Sequence, residues 1–177
     1  MMPFVVAVAA FLVMEPVAAL VHRSVMHRRG WGWHRSHHGR PRPGFEGNDG
    51  YPLVMAALTI AAMLAGRMVA DLRPLLWIGA GVTAYGLAYV SVHDLLVHQR
   101  LGRLPLADSR YVRWVAAAHG RHHDDGGAPY GFLAPLVPAV RRSSRVRASG
   151  LLRPISAWAA TRNLAVVGTR ARREKTS

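Results

Sequence analysis

All ten histidines of the chain fall into four short boxes, His22/His27, His34/His37/His38, His93/His98 and His119/His122/His123, with none left over. Histidine is the commonest metal ligand, because neutral imidazole is a good donor near pH 7 and suits iron, zinc, copper and nickel. A lone buried histidine is ordinarily a satisfied core residue. Four boxes in the pattern HxxxxH, HxxHH, HxxxxH, HxxHH ask instead for rings that converge, which core packing does not require. Their spread from His22 to His123 also excludes a histidine-rich tag or low-complexity tract. One ion cannot use ten ligands, so the count points to two ions.

Helix geometry gives each box an expected role. On an α-helix, residues five apart are rotated by about 140° and displaced by about 7.5 Å. His22 and His27 are therefore expected to serve two neighbouring ions, and the equally spaced His93 and His98 repeat the pattern. In an HxxHH triplet the first ring lies about 60° from the second and about 40° from the third, whereas the adjacent pair is splayed by about 100°. Such a triplet presents one broad imidazole face whose last two rings can lean toward different metals.

The elements that must position these boxes read as membrane helices. Hydrophobic residues make up 51% of the chain, yet its net charge is +14, which fits apolar spans joined by basic loops. The charge is almost all arginine, with Lys175 the only lysine. No aromatic-interleaved basic motif accompanies it, so nucleic-acid binding is excluded. Without cysteine there is no disulfide, thiolate-ligated zinc or iron–sulfur cluster, and a redox centre must use nitrogen and oxygen ligands.

Pro3 to Val21 approaches the roughly 20 residues that span hydrocarbon. It reads as a span and not as a signal peptide, lacking a basic leader and running straight into the first box. Pro52 to Ala70 and Leu75 to Val92 form a helical hairpin around the turn Gly66 to Pro74, with Pro74 suited to the first turn of the returning helix. All four boxes then fall on one side of the bilayer. That side carries Arg23, Arg28, Arg29, Arg35, Arg40 and Arg42, then Arg100, Arg103, Arg110, Arg113 and Arg121, so the positive-inside rule makes it cytoplasmic. Tyr111 to His123 reads as a surface helix, and Tyr130 to Val140, broken by Pro135 and Pro138, as an interfacial or re-entrant segment. The expected fold is an all-α integral membrane protein of about three to four transmembrane helices, with its histidine cluster at the cytoplasmic face. Residues 1–140 would form the membrane-embedded domain and 141–177 a basic C-terminal tail, with a short helix near Ile155 to Val167.

These motifs resemble the fatty acid hydroxylase superfamily of membrane di-iron enzymes, and within it the bacterial β-carotene 3-hydroxylases. The likeness runs over roughly residues 1–138 and rests on the boxes, Trp31-Gly-Trp33-His34-Arg-Ser-His37-His38, Phe45-Glu46-Gly-Asn48-Asp49, His93-Asp94-Leu-Leu-Val-His98-Gln99-Arg100, Ala118-His119-Gly-Arg-His122-His123 and Gly131-Phe132-Leu133. It departs from that branch in the short link from His123 to Tyr130, in Asp124-Asp125 and in the arginine-rich tail. The resemblance implies two iron ions, molecular oxygen as co-substrate, and electrons from an external ferredoxin and its reductase. It further implies a carotenoid taken from the bilayer of the bacterial inner membrane, whose β-ionone rings gain a hydroxyl at carbon 3. Nitrogen-rich ligation is compatible with that chemistry, and no glycine fingerprint offers an internal nicotinamide site. The basic cytoplasmic face suits an acidic electron donor.

Carboxylates beside the boxes can orient imidazoles by accepting their second N–H. Asp94, directly after His93, is the preferred choice, ahead of Glu46 and Asp49; Asp124 and Asp125 read as capping or solvation. Glu15 lies within the first span, where an ionisable group is costly, and near enough to His22 to snorkel, so it is left outside the catalytic set. Trp31, Trp33, Tyr51, Tyr85 and Tyr89 are candidates for an apolar substrate route, with interface anchoring preferred for most of them. The alternatives are another lipid oxidation by the same site, as in a fatty acid or sterol hydroxylase, a desaturase or a carotenoid ketolase, and, more remotely, a metal transporter. Transport requires ionisable groups along the spans, and only Glu15 is there.

Overall fold

A computed structural model describes residues 2–39 and 44–135, and these are all helix and loop. The expected tail, the helix near Ile155 to Val167, the end of the Tyr130 to Val140 segment, and Arg40 and Arg42 lie outside the described residues. Helix α1 (Met2–Val21) forms from the first apolar run and continues into a π-helical turn, His22–Met26. The short α2 (Trp31–His38) carries the second box. A 3₁₀ turn, Gly47–Asp49, closed reciprocally by the Glu46 and Asp49 side chains, starts α3 (Gly50–Met68). The hairpin closes through a second 3₁₀ turn, Ala70–Leu72, and Pro74 occupies the first turn of α4 (Pro74–Tyr89) as expected. Helix α4 passes into π-helix over Val90–Val97.

Helix α5 (Arg110–Asp125) is fixed at both ends. The Ser109 side chain caps its start by accepting from the Val112 amide, and Gly126, at φ +64°, ends it in a left-handed conformation that favours glycine. Val112, Val115, Ala118, His119 and His122 form its buried stripe, at the spacing of one helical face. It therefore packs inward with its box.

Three helical stretches, Met2–Met26, Gly47–Met68 and Ala70–Val97, are long and apolar enough to cross a membrane. Helix α4 stands in the middle and packs on both α1 and α3. A Cβ on Gly81 would meet the Ala7 carbonyl oxygen at 2.2 Å, so this glycine lets α1 and α4 approach closely, as small residues do between membrane helices. The molecule is inverted relative to a water-soluble domain. No residue of α1 is buried, and Phe4, Leu12, Leu58 and Leu87 face outward, whereas His22, His34, His93 and His122 are among the largest fully buried side chains. Tyr130–Pro135 is neither a span nor a helix; it is an irregular strap folded inward against α1 and the histidines.

Candidate metal centre

The two HxxxxH boxes do not behave as α-helical spacing predicts. Both lie in π-helix, where the backbone closes from residue i to i+5: the His27 amide donates to the His22 carbonyl at 3.0 Å and the His98 amide to the His93 carbonyl at 2.9 Å. Residues five apart consequently sit one turn above each other. The ring centroids are 5.0 Å apart in the first pair and 4.5 Å in the second. Each pair therefore joins one group instead of dividing between two.

The result is two sets of converging ring nitrogens. His22, His27, His34, His38 and His122 form one, and His37, His93, His98 and His119 the other, with the nitrogens of each set within 4.8 Å of one another. Either set can hold a metal ion. The second-box triplet divides as its geometry predicts, His38 going with His34 to the first set and His37 to the second, whereas in the last triplet the division falls between His119, in the second set, and His122, in the first. The remaining ring, His123, lies between the sets, 4.4 Å from the rings of both His38 and His119.

Several rings carry one N–H outward to an oxygen. His22 Nδ1 donates to the Tyr130 carbonyl at 2.9 Å, His34 Nδ1 to Asn48 Oδ1 at 2.8 Å, His122 Nδ1 to the Gly127 carbonyl at 2.5 Å, and His93 Nδ1 to Asp94 Oδ1 at 2.8 Å. These bonds fix the tautomers and leave each Nε2 as a lone pair pointing inward. Yet His22 Nε2 and His34 Nε2 stand 3.0 Å apart, and His93 Nε2 is buried without a hydrogen-bond partner among the described residues. Lone pairs facing each other at that distance repel unless a cation lies between them.

Protonation does not supply the cation. Burial, reinforced by the surrounding imidazoles, pushes His34 down to about 3, His38 to about 4 and His123 to about 2. It drives His37 and His119 well below the ordinary value as well. These five rings stay neutral at physiological pH, which is the form that binds metals.

The loop between the second box and α3 contributes to both sets. Asn48 holds His34, and Asp49 takes the Arg100 guanidinium through two contacts at 2.6 and 2.7 Å. Arg100 also lies 3.6 Å from Asp94, the carboxylate on His93. Arg100, counted in the sequence as a topology marker, is thus built into the support of the second set. Glu46 Oε2 is 3.9 Å from His37 Nδ1, and Asp124 and Asp125 are exposed. The contacts of Asn48, Tyr130 and Gly127 were not anticipated. The asparagine offered only its place beside Asp49, and a backbone carbonyl has no signature in sequence.

Above the rings lies an apolar cavity of about 370 Å³ between α1, α3 and α4, bordered by Met14, Tyr51, Met55, Tyr85, Tyr89 and Phe132 among others. Tyr89 stacks on His93 at 4.7 Å, and Phe132 stacks on His22 at 4.8 Å while meeting His93 edge-on at 5.3 Å. The inner end of the cavity therefore abuts rings of both sets. Of the aromatic candidates, Tyr51, Tyr85 and Tyr89 line it, whereas Trp31 and Trp33 lie outside it and are exposed.

Residues 7–139, a stretch containing all four boxes, match the family model described as fatty acid hydroxylase. The chain belongs to the fatty acid hydroxylase family. It is an enzyme of that family, and its similarity to characterised relatives extends over most of its length. It is 46% identical over 140 residues to a β-carotene hydroxylase of Pantoea ananas, covering 76% of this chain and 78% of the relative. A β-carotene hydroxylase of Paracoccus sp. (strain PC1) is 40% identical over 161 residues, 87% of this chain and 96% of that one. The chloroplastic β-carotene 3-hydroxylase 1 of Arabidopsis thaliana is 45% identical over 138 residues, which are 75% of this chain and 44% of the plant protein. No solved structure gives a significant match.

Proposed function

We propose that this enzyme hydroxylates the β-ionone rings of a carotenoid at carbon 3, converting β-carotene to β-cryptoxanthin and then to zeaxanthin, at two irons held by its histidines. The five-histidine set holds one iron and the four-histidine set the other, with His123 between them. The observation that carries this reading is the pair of inward lone pairs on His22 and His34, 3.0 Å apart with both Nδ1–H groups committed elsewhere. Ring nitrogens this close, with their N–H groups turned away, are arranged as donors that would share one ion. Two further Nε2 pairs are as close, at 2.9 Å for His27 with His122 and for His98 with His119.

When bound, the irons supply the oxidation with molecular oxygen that no amino-acid side chain performs. One oxygen atom enters the C–H bond and the other leaves as water, which takes up two electrons and two protons from outside the chain. The protein's own part is positional. The cavity binds a hydrocarbon ring through apolar contacts, and Tyr89 and Phe132 hold it against the histidines. Asp94 orients the His93 ring by accepting its Nδ1–H. The exposed Arg23, Arg28, Arg29, Arg35, Arg110, Arg113 and Arg121 keep this end on the cytoplasmic face of the inner membrane and steer an acidic ferredoxin, itself recharged by its reductase. The names of the relatives support the substrate, and the apolar cavity suits it.

The test is metal analysis of the purified full chain together with β-carotene turnover dependent on oxygen and reduced ferredoxin. Two irons per chain and products carrying one new oxygen per ring, with no added unsaturation, are expected. A keto product, or activity on a fatty acyl or sterol substrate in place of β-carotene, would reassign the substrate. An iron-free active enzyme would remove the di-iron reading.

A further inference from the structure

Glu15, set aside in the sequence as a snorkelling residue, accepts five hydrogen bonds among the described residues. Its Oε1 accepts from the amides of Phe132, Leu133 and Ala134 at 2.9, 3.2 and 2.9 Å, and its Oε2 from the Tyr85 hydroxyl at 2.7 Å and the Leu133 amide at 3.1 Å. Every partner is a donor, so the carboxylate acts as an acceptor only. Tyr85 comes from α4 and is buried, so one side chain of α1 ties together two helices and the strap.

The strap needs such an acceptor. Irregular backbone beside apolar helices has no ladder of its own, and an amide left unsatisfied in hydrocarbon is strongly unfavourable. The fit is close on the other side as well: a Cβ on Gly131 would lie 2.6 Å from Glu15 Oε1 and 3.2 Å from Pro135 Cα. The strap in turn touches the site twice. The Tyr130 carbonyl takes the Nδ1–H of His22, and Phe132 stacks on His22 at the inner end of the cavity.

We propose that Glu15 is a positioning residue: by gathering the strap amides, its carboxylate fixes the tautomer of His22 and seats Phe132 between the apolar cavity and the histidines. The inference rests on the metal-site reading, but its direct test does not need substrate. In full-length protein in lipid nanodiscs, Glu15→Gln replaces one acceptor oxygen with a donor that faces the strap amides or the Tyr85 hydroxyl. Hydrogen exchange over Phe132–Ala134 should quicken by about tenfold or more while exchange in α3 stays as in wild type, since opening is local. Iron should bind about 10–100-fold more weakly at the five-histidine set alone, the usual cost of losing support behind a ligand. Glu15→Asp, which keeps the carboxylate, should fall between Gln and wild type.

Gly131→Ala provides a second variant, crowding Oε1 without altering Glu15, and should produce the same local quickening. It carries the test if Glu15→Gln fails to accumulate in membranes. Wild-type exchange over the strap in these variants, or quickening spread equally through the helices, would overturn the proposal. Absence of carotenoid products from the wild-type enzyme would count against the function proposed above and leave the exchange and iron measurements standing.

Discussion

In the five-histidine set the ring N–H groups of His22 and His122 end on backbone carbonyls and that of His34 on the Asn48 amide, whereas in the four-histidine set His93 gives its N–H to the Asp94 carboxylate. Either kind of acceptor orients a ring; a carboxylate also places a negative charge beside the set it supports. Arg100 ties Asp94 to Asp49, which anchors the second set in the fold through ion pairs. The first set leans on Tyr130 and Gly127, in the loop after α5, and hence on the grip of Glu15 upon the strap. His27 and His38 in that set are also only partly buried. Two sites built from the same side chain thus differ in charge and in what holds them, and they should bind and lose metal differently.

The strongest way to break this comparison is to remove one ring from each set. His34→Ala and His119→Ala should each lower the iron content from two per chain to about one and abolish turnover, while insertion into the membrane persists, because a cooperating pair of metals fails when either is lost. Iron analysis of each purified variant checks this. Loss of both ions from either variant would show that the sets are one site. Wild-type rates in either would reject the assignment of ligands.

Much of this architecture is readable from the residues because apolar runs and histidine spacing report directly on helices and their faces. The split of His37 from His38 follows from the angle between adjacent helical residues, and the structure divides them that way. The HxxxxH boxes mislead for a definite reason: a π-helical turn has no mark in residue type, yet it changes which side chains face together. Glu15 misleads because its partners are amides 117 to 119 residues away. A carboxylate's neighbours in sequence say nothing about such donors. Arg100 shows the same limit, since it reads equally well as a positive-inside loop residue and as the guanidinium joining Asp49 to Asp94.

A finer separation comes from the supports. Asn48→Ala removes the acceptor behind His34, and Asp94→Ala the one behind His93. Each should weaken iron binding about 10–100-fold, at its own set only. Because Asp94 also meets Arg100, its loss should fall toward the upper end of that range and that of Asn48 toward the lower. Iron titration of the two variants, each set followed in the background of His119→Ala or His34→Ala, measures the difference. Equal weakening of both sets by either substitution would mean that the supports do not distinguish them.

The smallest effect expected is a difference in acid sensitivity. A histidine whose folded-state pKa is lowered stays neutral in the native protein while the unfolded chain takes up protons. Its contribution is therefore complete above the ordinary value near 6.5 and declines as pH falls toward the folded value. Burial lowers His38 to about 4 and His34 to about 3 in the five-histidine set, and it lowers His37 and His119 in the other set well below 6.5. His27 and His38 of the first set are only partly buried, so protons compete with iron there at higher pH than at fully buried rings. Between pH 6.5 and about 4 the five-histidine set should release its iron first, by a few-fold at any given pH. His119→Ala and His34→Ala, each retaining the other set, let the two releases be followed separately by iron content against pH. Earlier release from the four-histidine set would mean that the charge of Asp94, and not the burial of the rings, governs how each set meets protons.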